Sequence, residues 1–301
     1  MSISELQREI RKGLREREAI LLAHYYQREE IQDIADFLGD SLALSIEAAK
    51  TDAAVIVFAG VHFMAESASI LSPDKTVLLP RLEAGCPLAD MITPHQLAKA
   101  RAENPGVPVV TYVNSSAEIK AMSDICCTSA NAVKVVESLA DEKVLMVPDG
   151  NLARYTARFT KKEVIPWDGY CPVHHFLVAA QVKDVMKRYP GAKLAVHPEC
   201  TTEVIDLADF VGSTAGIIRY ARETDAKEFI IGTESGILHA LRKENPGKTF
   251  ILASDKLICD TMKTITLEDI LASLSEMKHV VKVPDAVGES ARKALSRMLK
   301  V

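Results

Sequence analysis

The chain carries six cysteines, Cys86, Cys126, Cys127, Cys171, Cys200 and Cys259. No two of them are spaced C-x-x-C, which argues against zinc ribbons, thioredoxin-like redox pairs and clusters built on local ferredoxin spacing. Any metal site must therefore be assembled from distant parts of the chain. Cys171 stands in "GYCPVHH", beside His174 and His175 and just after Trp167, the only tryptophan. In that company a cysteine can be a nucleophile, a zinc ligand, an iron–sulfur ligand, half of a disulfide, or a buried apolar residue. A second set of groups can move protons: His24 and Tyr26, Tyr112 and Asn114, His197 and Glu199.

An internal repeat puts these residues in register. "HYYQREEIQDIADFLGDS" from His24, "YVNSSAEIKAMSDICCTS" from Tyr112 and "HPECTTEVIDLADFVGST" from His197 align without gaps. Each follows a short apolar run ("ILLA", "VVT", "LAV") that reads as a buried parallel strand. Each holds Glu at its seventh position (Glu30, Glu118, Glu203) and Asp at its thirteenth (Asp36, Asp124, Asp209), and ends on Ser41, Ser129 or Thr214. A helix, a second strand, a variable helix and a third strand follow, and then Cys86, Cys171 or Cys259. The unit is β-α-β-α-β, half a Rossmann fold. The expected fold is α/β, with three α/β/α domains related by a pseudo-threefold axis around a central active site. The expected boundaries are 1–85, 86–170 and 171–258, with a helical segment, 259–301, packing back on the body. Functional groups in such sheets lie beyond the carboxyl ends of the strands, so the strand ends and the cysteine loops should face one cavity.

A lone cysteine is more often core than ligand, but three at one repeat-equivalent position point to a metal centre. The segments after them look like helix starts, which would favour thiolate. Three symmetric thiolates fit three corners of a 4Fe–4S cube with one iron open, a Lewis acid able to assist loss of water. The alternative is zinc completed by His174 or His175. Cys126, Cys127 and Cys200 read as structural. Ser41, Ser129 and Thr214 each read as opening a helix. As caps they contribute about 1 kcal/mol each; three helix starts aimed at one cavity would also attract an anionic substrate. Asp36, Asp124 and Asp209 read as structural, as does a capping box from Ser115 to Glu118. His62 is divided between cavity rim and scaffold, and His95, His239 and His279 are expected to face solvent.

The chain has 301 residues, is 48% hydrophobic and 26% charged, and carries a formal charge of −5. That balance suits a globular protein and gives no reason to expect nucleic acid as a partner. The N-terminal "MSISELQREIRKGLREREAI" reads as a charged amphipathic helix rather than a signal peptide, and no apolar run of about 18 residues suggests a membrane span. A cytoplasmic location with reduced thiols is expected.

Together "LAHYYQ", "GDSLALS", "GVHFMAESA", "AGCPLADM", "TYVNSSAEIKA", "CCTSANA", "GYCPVHH", "HPEC" and "GSTAG" resemble the quinolinate synthases of bacterial and archaeal de novo NAD biosynthesis. Tyr25 is a departure, standing where an asparagine is expected. The resemblance implies a 4Fe–4S cluster on Cys86, Cys171 and Cys259. It implies condensation of iminosuccinate with dihydroxyacetone phosphate to quinolinate, releasing phosphate and two waters, with iminosuccinate supplied by an aspartate oxidase or dehydrogenase. His24, Ser41, Tyr112, Asn114, Ser129, His197, Glu199 and Thr214 would bind substrate. His24 and Tyr26 would shuttle protons in triose isomerisation, and Glu199, with Tyr112 and His197, would serve the later transfers. His174 would touch the cluster's surroundings. A zinc hydrolase or lyase, and an iron–sulfur sensor without turnover, are the competing readings.

Overall fold

The computed structural model describes residues 1–301. The apolar runs form strands because each is short, rich in branched residues and covered on both faces. Leu21, Leu22, Val109, Val110, Leu194 and Val196 are fully buried. Twelve parallel strands make three sheets of four. The first repeat holds β1 (Ala19–His24), β2 (Phe37–Gly39), β3 (Val55–Ala59) and β4 (Thr76–Leu78). The second holds β5 (Val109–Tyr112), β6 (Ile125–Cys127), β7 (Lys143–Val147) and β8 (Glu163–Pro166). The third holds β9 (Lys193–Val196), β10 (Phe210–Val211), β11 (Glu228–Gly232) and β12 (Thr249–Leu252). The spatial orders are β2-β1-β3-β4, β6-β5-β7-β8 and β10-β9-β11-β12. This is the expected α/β architecture of three helix-flanked parallel sheets.

Each sheet has one strand more than the sequence suggested. The additions, β2, β6 and β10, are two or three residues long, too short to show a period of two. The aspartate of each repeat fixes them. Asp36 Oδ2 accepts the Leu21 N–H, Asp124 Oδ2 that of Val109, and Asp209 Oδ2 that of Leu194, each at 2.8 Å. The main-chain N–H of the same aspartate returns to the carbonyl of the same partner, at 2.9, 3.0 and 2.9 Å. A cation faces each carboxylate: Arg11, Arg101 at 3.1 Å, and Lys193 at 2.8 Å. The aspartates are thus structural, as their spacing implied.

Two sequence assignments change. Ser41 and Thr214 are first residues of their helices, Ser41–Lys50 and Thr214–Glu223, and not the caps. Asp40 and Ser213 cap instead, accepting the Ala43 and Gly216 N–H groups. Ser129 precedes the helix Ala132–Ser138 by a turn in which Asn131 Oδ1 accepts the Thr128 N–H at 2.7 Å. The Ser115–Glu118 box does not form: Ser116 is the cap, accepting the Ile119 N–H, and Ser115 Oγ is buried without a partner.

The N-terminal segment is a helix, Ile3–Glu16, opened by a Ser2–Glu5 capping box and burying Leu6, Ile10 and Leu14. It packs on the helix Leu267–Glu276. The last helix, Asp285–Met298, lies across the second repeat at Ala117–Ala121 and β6 and touches the first at His62–Leu71. Arg292 donates to the Ile70 carbonyl and Arg297 to that of Asp124, both at 2.7 Å. An isolated antiparallel bridge pairs Leu78 with Val280 beside β4. One continuous apolar core therefore joins repeats one and two with the C-terminal helices, while repeat three keeps two smaller cores of its own.

Replacing Asp124 by Ala should lower the unfolding free energy by about 1–3 kcal/mol, the cost of leaving the Val109 N–H unpaired. Urea titration would measure it, and an unchanged midpoint would refute the structural role assigned to the repeated aspartate.

Candidate active site

The three repeats turn the carboxyl ends of β1, β5 and β9 towards one another. His24, Tyr26, Tyr112, Asn114, His197 and Glu199 line a single cavity with Ser41, Ser129, Thr214, Cys86, Cys171 and Cys259. Thus these residues, spread over almost the whole chain, line one cavity. His24, His174, His197 and Glu199 are all buried there.

Glu199 is the electrostatic centre. Its Oε2 lies 2.7 Å from His174 Nδ1 and 3.1 Å from His197 Nδ1. Burial alone would raise this carboxyl, but the charges and hydrogen bonds of His197 and His174 outweigh it and hold it below the usual range. The far nitrogens have hydroxyl partners: His174 Nε2 meets Thr233 Oγ1 at 2.8 Å and His197 Nε2 meets Ser129 Oγ at 3.1 Å. Protons on Nδ1 of both rings suit the two contacts to Oε2. The two imidazoles stack, centroids 4.6 Å apart. Glu199 Oε1 and Asn114 Oδ1 are buried with no hydrogen-bond partner, which leaves both as acceptors for a ligand.

His24 is pulled down to about 3 by burial first, then by the charges of His197 and Lys263. It is a neutral imidazole whose Nδ1 accepts the Tyr26 N–H at 3.1 Å, so its proton sits on Nε2. Tyr26 lies edge-on to His24, with centroids 4.5 Å apart. Its hydroxyl meets Thr233 Oγ1 at 2.6 Å and accepts from Thr214 at 3.0 Å. Burial pushes the Tyr26 and Tyr112 phenols well above their ordinary range, and Glu199 adds to the rise at both.

Cys86, Cys171 and Cys259 are free and half-buried, whereas Cys126, Cys127 and Cys200 are free and fully buried. The latter three take the structural roles expected of them; the Cys200 thiol faces the Gly232 carbonyl. Cys171 and Cys259 are the caps of short helices, Pro172–His175 and Asp260–Lys263. Cys86 instead leads through a turn to a 3-10 segment, Ala89–Met91. The expected thiolates are not realised by the helix ends alone. Burial raises all three thiols, Cys86 to about 12, outweighing the nearby amides of Ala89, His174 and Met262. Deprotonation here requires a cation, as when a metal binds. The donor chemistry fits an iron–sulfur group: three soft sulfur donors at repeat-equivalent positions lining one cavity. The three donor atoms that lie within 4.8 Å of one another are those of Cys171, His174 and Glu199, not the three sulfurs together. Two thiolates on one tetrahedral zinc would be about 4 Å apart, so a wider group suits the cysteines better.

Several neighbours escaped the sequence reading. Asp149 and Glu234 stand two residues beyond the ends of β7 and β11, where the first repeat has Val61. That shared register could have revealed them. Glu234 meets Lys263 Nζ at 3.2 Å, and Lys263 also donates to the Tyr26 carbonyl. Gln27 Nε2 donates to the Met262 carbonyl and Arg28 Nε to that of Lys263, both at 3.0 Å. A Cβ on Gly236 would stand 2.8 Å from the Tyr26 backbone, so only glycine allows this approach. The helix after Cys259 is thereby sewn to the loop carrying Tyr26. His62 lies apart from the cavity, 3.8 Å from Glu66. His175 stacks on Tyr170 and meets Asn151, leaving His174 as the histidine beside Cys171, at 3.3 Å. His95 is exposed. His239 and His279 are half-buried, against the solvent-facing expectation: His239 pairs with Asp33 at 2.9 Å and His279 with the Pro80 carbonyl at 2.9 Å.

Fold and cavity together define a three-repeat α/β enzyme with acid–base groups and thiol donors around one centre. The family model "NadA: Quinolinate synthetase A protein" matches residues 8–300. Among curated relatives, the quinolinate synthase of Geotalea uraniireducens (strain Rf4) is 61% identical over 297 residues, covering 99% of this chain and 98% of the relative. That of Geobacter sp. (strain M21) is 57% identical over 301 residues, covering 100% of this chain and 99% of the relative. Quinolinate synthase 1 of Methanosarcina acetivorans is 53% identical over 301 residues, with 100% and 99% covered. The chain belongs to the quinolinate synthase family. No helix is long and apolar enough to cross a membrane.

Acid should destabilise the fold from two directions. His24, held down to about 3, stays neutral when folded while an unfolded histidine protonates near pH 6.5. Stability therefore falls as pH drops below about 6.5. Glu199, held low when folded, adds a further loss below about pH 4.5. Denaturation midpoints between pH 7 and 5 should decline, and less steeply in His24→Gln. A flat profile in the parent chain would contradict the buried neutral imidazole.

Proposed function

We propose that the chain condenses iminosuccinate with dihydroxyacetone phosphate to quinolinate, releasing phosphate and two waters, as a step of NAD biosynthesis. Family membership over the full length supports this reading. The observation that carries it is one cavity lined both by three repeat-equivalent cysteines and by the buried Glu199–His174–His197 network. Cys86, Cys171 and Cys259 would hold a 4Fe–4S cluster. When bound, that group supplies Lewis acidity towards a hydroxyl or carboxylate oxygen at an iron free of protein ligands.

The protein's own groups supply the rest. The substrates are anionic, and the helices Ser41–Lys50 and Thr214–Glu223 begin at the cavity with hydroxyl side chains and free N–H groups. Ser129 and Asn114 add hydrogen-bonding groups from the second repeat. His24 can donate from Nε2, and the Tyr26 phenol, lodged between Thr214 and Thr233, can relay a proton beside it. This pair suits the proton shifts of triose isomerisation. Glu199 keeps Oε2 on the two imidazoles and leaves Oε1 free, so Oε1 is the base for later proton removal, with Tyr112 and His197 beside it. Iminosuccinate would come from an aspartate oxidase or dehydrogenase, in the cytoplasm.

A single metal ion on Cys171, His174 and Glu199 is the second reading, favoured by their mutual 4.8 Å limit. Anaerobic reconstitution with iron and sulfide should give a brown protein that forms quinolinate from the two substrates. Alanine at Cys86, Cys171 or Cys259 should abolish turnover, and Glu199→Gln should slow it about 10²–10⁴-fold, the usual weight of a general base. Colourless zinc protein, or activity that survives loss of Cys86 and Cys259, would favour the single-ion site. Iron uptake without quinolinate formation would favour a sensor.

A further inference from the structure

Two buried carboxylates, of which Glu234 lines the cavity, have no part in the chemistry described above. Asp149 follows β7 and Glu234 follows β11, at matching positions of repeats two and three. Asp149 is 1% exposed and Glu234 0%. Burying such groups is costly unless each oxygen is satisfied, and here both are. Asp149 Oδ1 accepts the Leu152 N–H at 2.7 Å, and its Oδ2 accepts the Cys171 N–H at 3.1 Å. Glu234 Oε2 accepts the Gly236 N–H at 2.6 Å, and its Oε1 accepts the Cys259 N–H at 3.2 Å. In both repeats the carboxylate bonds to its own loop and to the main chain of the cysteine on the neighbouring strand's loop, and Glu234 is also paired with Lys263. In the second repeat glycines let the two loops close up. A Cβ on Gly150 would lie 2.3 Å from the Trp167 carbonyl, and one on Gly169 would lie 2.3 Å from that of Pro148. In the first repeat Val61 has no side-chain atom to accept a hydrogen bond. The two loops are joined by one main-chain bond in every repeat, His62 N–H to the Ala84 carbonyl at 2.7 Å, Gly150 N–H to that of Gly169 at 2.8 Å and Ser235 N–H to that of Leu257 at 2.8 Å, and only repeats two and three add the carboxylate to it.

We infer that Asp149 and Glu234 are positioning residues for the metal centre. Each fixes one cysteine by its amide, while Cys86 has no such carboxylate. Groups that orient metal ligands without touching the metal commonly govern how long it stays bound. Nothing in this requires either carboxylate to change its protonation. The inference rests on the reading that the three cysteines hold an iron–sulfur cluster.

The test uses the full chain with Asp149→Asn or Glu234→Gln. These substitutions keep shape, but leave one N–H facing an amide donor. Asp40→Asn serves as control, because Asp40 is a buried helix cap bonded to Ala43 and Ser213 and to no cysteine. Each protein is reconstituted anaerobically with iron and sulfide. Release of iron to a chelator is followed, the reduced centre's electron paramagnetic resonance spectrum is recorded, and the unfolding temperature of the metal-free chain is measured. Asp149→Asn and Glu234→Gln should each release iron about 10–100-fold faster and alter the spectrum, while Asp40→Asn releases it at the parent rate. Parent-like release and spectrum in both carboxamide variants would overturn the inference. So would equally fast release from Asp40→Asn at a matched loss of unfolding temperature, since the effect would then be general loosening. If the parent chain takes up no iron and sulfide, the cluster reading itself fails.

Discussion

A charged carboxylate sealed from water must be compensated on the spot, and Glu199 sets that demand for the whole cavity. Its Oε2 is answered by His174 and His197. Each imidazole is then committed through its other nitrogen, one to Thr233 and one to Ser129. Thr233 also meets Tyr26, which Thr214 reaches from the side. A single anion thus fixes tautomers, hydroxyl orientations and ring positions drawn from all three repeats. His174 extends the chain of contacts to the sulfur of Cys171, so acid–base groups and thiol donors form one connected structure. Removing the central charge would leave each of these groups without its reason for orientation.

Much of this was legible in the sequence because a repeat supplies its own internal comparison. Cys86, Cys171 and Cys259 mean little singly, but equivalent positions in parallel α/β units must come together at the same strand ends. The same logic explains the aspartates, whose side chains repeat one bond three times. Legibility failed where partners come from elsewhere in the chain. Ser41 and Thr214 resembled helix caps because Asp40 and Ser213, one residue earlier, also have cap chemistry. The strands β2, β6 and β10 were invisible because pairing with a neighbour, and not composition, makes them strands. Asp149 and Glu234 were overlooked because the first repeat has Val61 in their place, which hid the pattern. The thiols were expected to ionise at helix ends, but burial dominates that local effect.

The three repeats are equivalent in topology but not in support. The first two share a core with the C-terminal helices, whereas the third has its own cores. The third is tied in by apolar contacts from Tyr25, Tyr26, Leu38 and Tyr155 and by polar ones, Ser213 to Asp40 at 3.0 Å, Asn151 to the Glu199 carbonyl at 3.0 Å, and Arg158 to Asp206 at 2.7 Å. A shared buried core fixes one seam, and directional bonds with smaller apolar contacts fix the others. Directional bonds tolerate little misalignment, so the seams that carry the functional groups are also the most exacting in geometry.

The bridge between Leu78 and Val280 has a consequence beyond packing. A parallel sheet that stops at β4 would leave its last strand with unmatched amides and carbonyls, an invitation for a stranger's backbone to add itself. Val281 N–H bonds to the Val77 carbonyl at 2.8 Å, and Leu79 N–H bonds to that of His279 at 3.0 Å. The tail that links the last two long helices thus also hems that border, sparing the molecule self-association there without a dedicated extra strand.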